Sequence, residues 1–444
     1  MSKKHIHWLH EQLPLLVAQG IITTETAARI NSHYDNQEAP SSRPLALTLF
    51  AILGGILIAG GIILLMAHNW MEFNRPTRAF ISFLLVILGQ VIVGYGIWKD
   101  KTSAAYREGA GLFAQLTFGA GMALIGQTYH LSDDYGAFTL TWMLGTLPLV
   151  YLLQATGPAL IYLIGITFWA THVHDWYHHR HPAVWWVWIA LLIPYAVMQM
   201  RRNPYHPRAI LLMWGLGISL AIGTGICLES GWRNLWLVIY SGMFVSLYLI
   251  GSFWQGEGRS LWQRPLTFIG GMGATILLFI MTFDHAWNHI GWVESIGNLQ
   301  DGSWAVLHDV FLACVTTLTS VILMVTCRRR GQSFQLGLGI LPVVVTLGYL
   351  IIGSGHGSSL AHPFFIIANL YFLGFSIMTL IQGLKERQLG TVNYGMLMMA
   401  ALILARFFDS HFGFIAKGLV FIVLGCAFLG VNFFLARRKV GPTP

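Results

Sequence analysis

Apolar and polar positions alternate on two scales along this chain. Over residues 1–42 the alternation is fine and helical. Leu9, Leu13, Leu16 and Val17 recur at the spacing of one helix face between His5 and Gln19, and Gly20 stops the run. Pro14 marks either a kink in that helix or its true start. Thr23 is placed to cap a second helix, with Glu25 in its first turn near the positive end of the dipole. Ala27, Ala28 and Ile30 continue an apolar face to about Tyr34. Two helices this short bury too little to stand alone, so the pattern predicts a cytoplasmic helical hairpin that packs on itself and on the remainder.

From about Leu45 the alternation becomes coarse. Apolar stretches approach the roughly 17–25 residues that a helix needs to cross a bilayer, and short polar turns divide them. The expected spans are 45–67, 77–98, 109–128, 137–153, 158–172, 183–200, 209–228, 233–254, 265–283, 305–327, 336–353, 363–382, 388–406 and 413–436. The fifth is short and opens at Pro158, but omitting it would invert the side of every later turn. The pattern therefore predicts an all-α, polytopic membrane protein of about 14 transmembrane helices, with a unit at 1–42 and a transmembrane domain at 43–444. No cleavable signal is expected, because the first apolar run directs insertion and stays in the membrane.

Composition agrees: 55% of residues are apolar, 10% are charged, and the mean hydropathy is +0.62. Soluble domains carry about 25% charged residues. The formal charge of +8 would suggest nucleic acid in a soluble protein, but here the bases lie in turns and read as topology determinants. With the N-terminus inside, the cytoplasmic segments hold 20 of the 26 Lys and Arg and 8 of the 18 acids. This excess predicts both termini inside, on the cytoplasmic side. Cys227, Cys314, Cys327 and Cys426 show no paired spacing and read as small apolar residues.

A weak echo relates the two halves. Gly54-Gly55 leads to Ala67-His68-Asn69-Trp70, and Gly270-Gly271 leads to Asp284-His285-Ala286-Trp287-Asn288. At the same offset His130 pairs with His356 and His172 with His411, which suggests a parallel repeat of spans 1–6 and 9–14.

Several stretches carry a resemblance. They are Gln19-Gly20-Ile21-Ile22-Thr23 with Ala27-Ala28-Arg29-Ile30, the Gly-rich first span ending at Trp70, and Ile125-Gly126-Gln127-Thr128-Tyr129-His130. Later come Arg406-Phe407-Phe408-Asp409 and Lys417-Gly418-Leu419. In this order they resemble the bacterial membrane-protein family catalogued as domain of unknown function 2157. The resemblance implies a multi-spanning envelope protein and carries over no activity, cofactor or catalytic residue.

Three constellations are candidates for chemistry. The turn His172-Val-His174-Asp175-Trp-Tyr-His178-His179-Arg180-His181 offers ligand types that suit zinc or copper, while its tryptophans equally suit an interfacial belt. His68, Asn69, Glu72 and Arg75 at the first turn, with Gln127, Tyr129, His130, Asp133 and Asp134 at the third, form an outward polar mouth. Such groups can bind a polar substrate or do acid–base work, or simply end helices. Arg406 closes an apolar helix with Asp409 at i+3 and Lys417 nearby. It is either a structural ion pair or the holder of an anionic head group.

No Asp, Glu or Lys sits near the middle of a span, and no phosphate loop is present. The first functional expectation is transport or handling of a lipid-linked or small polar substrate. The alternatives are an envelope enzyme acting on a lipid-borne substrate and a scaffold using residues 1–42. No cofactor is predicted beyond the candidate metal. The expected partners are the lipid bilayer, a cytoplasmic protein at residues 1–42 and a second copy in a homodimer.

Overall fold

The computed structural model describes residues 12–35, 73–100, 103–131, 134–176, 182–228, 235–255, 260–288, 303–329, 336–353 and 357–407, with separate positions between 47 and 64 and between 415 and 429. Its regular elements are all helical, and no strand occurs among the described residues. The chain divides into two compact units, 1–169 and 170–444.

In the first unit, α1 (12–18) ends at Gly20, whose φ of +70° favours a residue without a side chain. Helix α2 (Thr24–Asp35) starts as its sequence dictates. The Thr23 hydroxyl accepts from the amide of Thr26 at 3.2 Å, and Glu25 pairs with Arg29 at 3.0 Å.

Four longer helices follow: α3 (Arg75–Trp98), α4 (Ala104–Tyr129), α5 (Tyr135–Leu153) and α6 (Thr156–Trp176), the last running past the unit's boundary. Asn74 caps α3 through Thr77 at 2.9 Å, and Asp134 caps α5 through Ala137 at 2.8 Å. Helices α3 and α4 pack closely because Gly89 and Gly121 remove side chains from the contact. A methyl at Gly89 would lie 2.9 Å from the Cα of Ala114, and one at Gly121 would lie 3.1 Å from the carbonyl of Ser82. Phe80, Phe83, Leu84 and Ile87 point outward from α3, as residues bathed in lipid chains do. Pro158 falls within the first turn of α6, where a missing N–H costs nothing, so the fifth predicted segment is one continuous helix.

The second unit begins differently from its pattern. The expected span 183–200 is broken into a 3₁₀ turn (Pro182–Val184), α7 (Trp185–Ala190) and α8 (Ile193–Arg202). Pro194 sits at the start of α8, where it cannot donate to the preceding turn. Next come α9 (Pro207–Cys227), α10 (Leu235–Gln255), α11 (Pro265–Ile280) and α12 (His285–Asn288). Then follow α13 (Ser303–Arg329), α14 (Leu336–Gly339), α15 (Leu341–Gly353), α16 (Gly357–Glu386) and α17 (Leu389–Phe407). Pro342 likewise divides α14 from α15 in the expected span 336–353.

Helix α10 is the hub of this unit and packs on α11, α13 and α15. Its Val238, Ile239, Val245 and Leu249 belong to one core with Ala274, Leu277, Leu278, Val345 and Ile352.

Among the described residues, eight helices are long and apolar enough to cross a membrane: α3, α4, α5, α9, α10, α13, α16 and α17. At 1.5 Å per residue, α11 is only about 24 Å long, short of a hydrocarbon core of about 30 Å. The expected spans 45–67 and 413–436 lie largely outside the described residues.

Candidate functional site

A helix leaves its last carbonyls without intrahelical donors, and in apolar surroundings those carbonyls must find others. Helix α11 ends early, and side chains from three later elements supply them. The Trp287 indole of α12 donates to the carbonyl of Met281 at 2.7 Å. The carbonyl of Thr282 accepts from Asn369 of α16 at 3.1 Å and from Arg406 of α17 at 2.9 Å. Asn369 also donates to the carbonyl of Phe365 at 2.8 Å, which fixes its amide.

Arg406 is held on its flat sides as well. Its guanidinium carbon lies 5.2 Å from the ring centres of both Phe283 and Phe365, within cation–π range of each. The cation thus sits at the negative end of the α11 dipole. It is half-buried, with exposed Asp284 and His285 next to Phe283 in sequence. The imidazole of His362 stacks on Phe365 at 5.6 Å. A planar fork of five N–H donors, oriented by aromatic faces, is suited to a phosphate or carboxylate. Asp409, the partner expected from sequence, lies outside the described residues.

In the first unit, the described residues of the polar mouth mark the junction of α4 and α5. Gln127 and Tyr129 are both exposed in the last turn of α4. His130 takes the left-handed conformation, φ 52°, that ends the helix, and Leu131 donates back to Gly126 at 3.0 Å. Asp134 caps α5 four residues later. His68, Asn69, Glu72 and Asp133 lie outside the described residues.

Residues 14–159 match the family model described as "Predicted membrane protein (DUF2157)". No curated protein and no solved structure matches the chain. The DUF2157 match covers about a third of the chain, from α1 to the start of α6. It includes the 127–134 junction but not Arg406.

The DUF2157 stretch also contains a group that reading the sequence did not single out. Glu108, 1% exposed, accepts from the amides of Thr156 at 3.0 Å and Gly157 at 2.7 Å, capping α6 with a buried carboxylate. Gln115, seven residues on and so on the same face of α4, donates to Thr146 at 3.2 Å and to the carbonyl of Pro158 at 3.3 Å. The i, i+7 spacing of Glu108 and Gln115 was the available signal. Their partners, mostly backbone groups more than 40 residues away, left none.

Of the His-rich turn, His172 lies on α6 with Nδ1 3.4 Å from the Thr171 hydroxyl, and the helix continues through His174 and Asp175 to Trp176. The side chains of His174 and Asp175, and all of His178, lie outside the described residues. Among the described residues no three His, Cys, Asp or Glu come together as metal ligands.

In the second unit, α13 carries a second group missed in the sequence. Asp309, 3% exposed, meets the Nδ1 of His308 at 2.9 Å. It stands near the start of the expected span 305–327 and not near its middle.

Proposed function

We propose that this protein transports or otherwise handles an anionic substrate, lipid-linked or small and polar, and binds its anionic group at Arg406. The observation that carries this reading is the guanidinium held between Phe283 and Phe365 at the end of an apolar helix, half-buried and already oriented by the Thr282 carbonyl. An arginine fixed in this way loses little freedom when it grips a phosphate or carboxylate.

Within this reading the chain crosses a bacterial cytoplasmic membrane fourteen times, with both termini inside and a parallel repeat of spans 1–6 and 9–14. The alternation of basic and acidic turns supports that orientation. Residues 1–42 serve as a cytoplasmic handle for a protein partner, and 43–444 form the membrane domain, with a homodimer compatible with its small-residue faces. The residues His68, Asn69, Glu72, Gln127, Tyr129, His130, Asp133 and Asp134 form the outward polar mouth. Arg406 and Asp409 form the anion site, and His172, His174, Asp175 and His178 are the place for zinc or copper.

The second reading is an envelope enzyme acting at the outer face on a lipid-borne substrate. It draws on His308 and Asp309, because an imidazole oriented by a buried carboxylate is the pair that general acid–base catalysis uses.

Purified protein incubated in vesicles of bacterial lipid separates the two. Mass spectra of the lipids before and after incubation stay identical for a transporter and gain a product for an enzyme. In cells, loss of complementation of a deletion phenotype by Arg406→Gln supports the anion site. Full complementation by that variant contradicts the anion site, and full complementation by Asp309→Asn as well, with loss only on removing residues 1–42, contradicts both chemical readings.

A further inference from the structure

Helix α13 carries two adjacent ionisable groups within its apolar stretch, Val306–Arg329. The Nδ1 of His308 lies 2.9 Å from a carboxylate oxygen of Asp309. The Asp309 side chain is 4% exposed and that of His308 18%, and the Nε2 of His308 is a buried atom without a hydrogen-bond partner. Helix α13 packs on α10, α14 and α15. The described residues of those three helices include no Lys, Arg, Asp, Glu or His, and their titratable side chains are Tyr240, Tyr248 and Tyr349. On α13 itself the others are Cys314, Cys327, Arg328 and Arg329. The two arginines begin about 28 Å along the helix from Asp309.

Contacts along α13 place this pair at the Arg406 end of the second unit. A methyl at Gly339 on α14 would lie 3.0 Å from Met324, and the hydroxyls of Thr346 on α15 and Thr317 lie 3.4 Å apart. Rising residue numbers on α14 and α15 thus meet falling numbers on α13, so the start of α13 lies toward the end of α15. Near that end, a methyl at Gly348 would lie 2.7 Å from Trp287 and 3.0 Å from Phe364. Trp287 serves the end of α11 at Met281, and Phe364 adjoins Phe365, whose ring faces Arg406.

In the neutral ring, Nδ1 donates its proton to Asp309 and Nε2 is left as a lone pair with nothing to accept. A proton taken from water onto Nε2 makes an imidazolium beside the carboxylate, and the pair passes from one negative charge to none. Only an N–H bond forms, and the proton returns to water when the ring releases it. Ionisable residues inside apolar helices mark proton and ion pathways, and imidazole is a common proton shuttle. A proton also solves a problem of anionic cargo. A substrate with one negative charge that crosses together with one proton moves no net charge, so the membrane potential does not oppose it.

We propose, on the transport reading of Arg406, that His308 and Asp309 bind the proton whose movement drives the anionic substrate across the membrane, one proton for each negative charge.

Initial rates of labelled phosphatidylglycerol crossing test this in proteoliposomes of the full-length protein, with the rate in empty vesicles subtracted. They are compared at equal pH and with the outside about one unit more acid. The gradient is expected to raise the wild-type rate several-fold, up to about tenfold. The rise is expected to disappear in Asp309→Asn and in His308→Gln and to return in part in Asp309→Glu, which keeps a carboxylate. Nitrogen-15 NMR of histidine-labelled protein in micelles reads the site without transport. The signal absent from His308→Gln is expected to gain a proton at Nε2 as pH falls from about 8 to about 5. Wild-type flux no faster than in empty vesicles would overturn the transport reading and the coupling with it. Wild-type flux that ignores the gradient, an equal rise in folded Asp309→Asn, or a His308 signal unchanged by pH would overturn the proton site and leave Arg406 standing.

Discussion

The guanidinium of Arg406 donates to the carbonyl of Thr282 at 2.9 Å, joining the end of α17 to the end of α11 across 124 residues of sequence. Asn369 shares that acceptor. Arg406→Ala is therefore expected to destabilise the second unit by about 1.5–3 kcal/mol, the usual worth of a hydrogen bond to a charged group. Arg406→Lys keeps the charge but not the flat contact with both phenyl rings, so it should recover only part. Because Asn369 and Arg406 serve one carbonyl, Asn369→Ala and Arg406→Ala should combine non-additively in a double-mutant cycle. Unfolding in mixed micelles measures all four proteins, and strict additivity would deny the shared acceptor.

Glu108 supplies both acceptors for the start of α6. Glu108→Ala leaves two buried amides unpaired and should cost about 1–3 kcal/mol. Glu108→Gln keeps one oxygen as an acceptor and should lose less. Equal losses for the two variants would mean that the carboxylate acts through its charge rather than as a cap.

The three Gly-Gly pairs of the sequence differ in what they allow. A methyl at Gly270 would lie 2.3 Å from the amide nitrogen of Tyr248 and 2.4 Å from the carbonyl of Phe244, both backbone atoms of α10. Gly270→Ala should therefore cost about 1–3 kcal/mol through overpacking. A methyl at Gly271 meets a ring atom of Tyr248 at 3.2 Å, and one at Gly60 meets nothing within 4 Å. Gly271→Ala should cost less, and Gly60→Ala should be neutral or stabilise slightly through helix propensity. Thermal unfolding of the three variants ranks them, and equal values would remove close α10–α11 packing as the reason for Gly270.

His206 precedes α9, and its Nδ1 accepts from the amide of Arg208 at 3.3 Å. Partial burial, and after it the charge of Arg208, push its pKa below the ordinary value of 6.5. The fold therefore prefers the neutral ring. The stability it contributes is complete above about pH 6.5 and is lost as pH falls through the lowered folded value. Because His206 is exposed, the effect is small. Thermal unfolding between pH 7.5 and 5 should show a steeper decline in the wild type than in His206→Gln. Parallel curves would contradict this.

Much of the local structure was legible because it rests on neighbours in sequence. Gly20 as a stop, Thr23 as a cap and Glu25 in a first turn need only a few adjacent residues. Arg406 stood out because a cation at the end of an apolar helix demands a partner. That the partner would be the Thr282 carbonyl could not be read, since every residue carries a carbonyl and only the tertiary fold selects one. Glu108 fell in the turn before the expected span 109–128 and Asp309 at the edge of the span 305–327, and neither stood out because composition counts charge without recording burial. Pro158 and Pro194 both lie in the first turn of a helix, yet only Pro194 falls inside an expected span and follows a break in it.

Arg406 is proposed to grip the anionic group of a substrate. The most direct test is the rate at which labelled phosphatidylglycerol crosses the membrane of proteoliposomes holding equal amounts of folded wild type, Arg406→Lys or Arg406→Gln. A wild-type rate above that of empty vesicles is expected, with a fall of at least about tenfold for Arg406→Gln and an intermediate rate for Arg406→Lys. A wild-type rate no faster than empty vesicles, or the same rate in all three proteins, would contradict it.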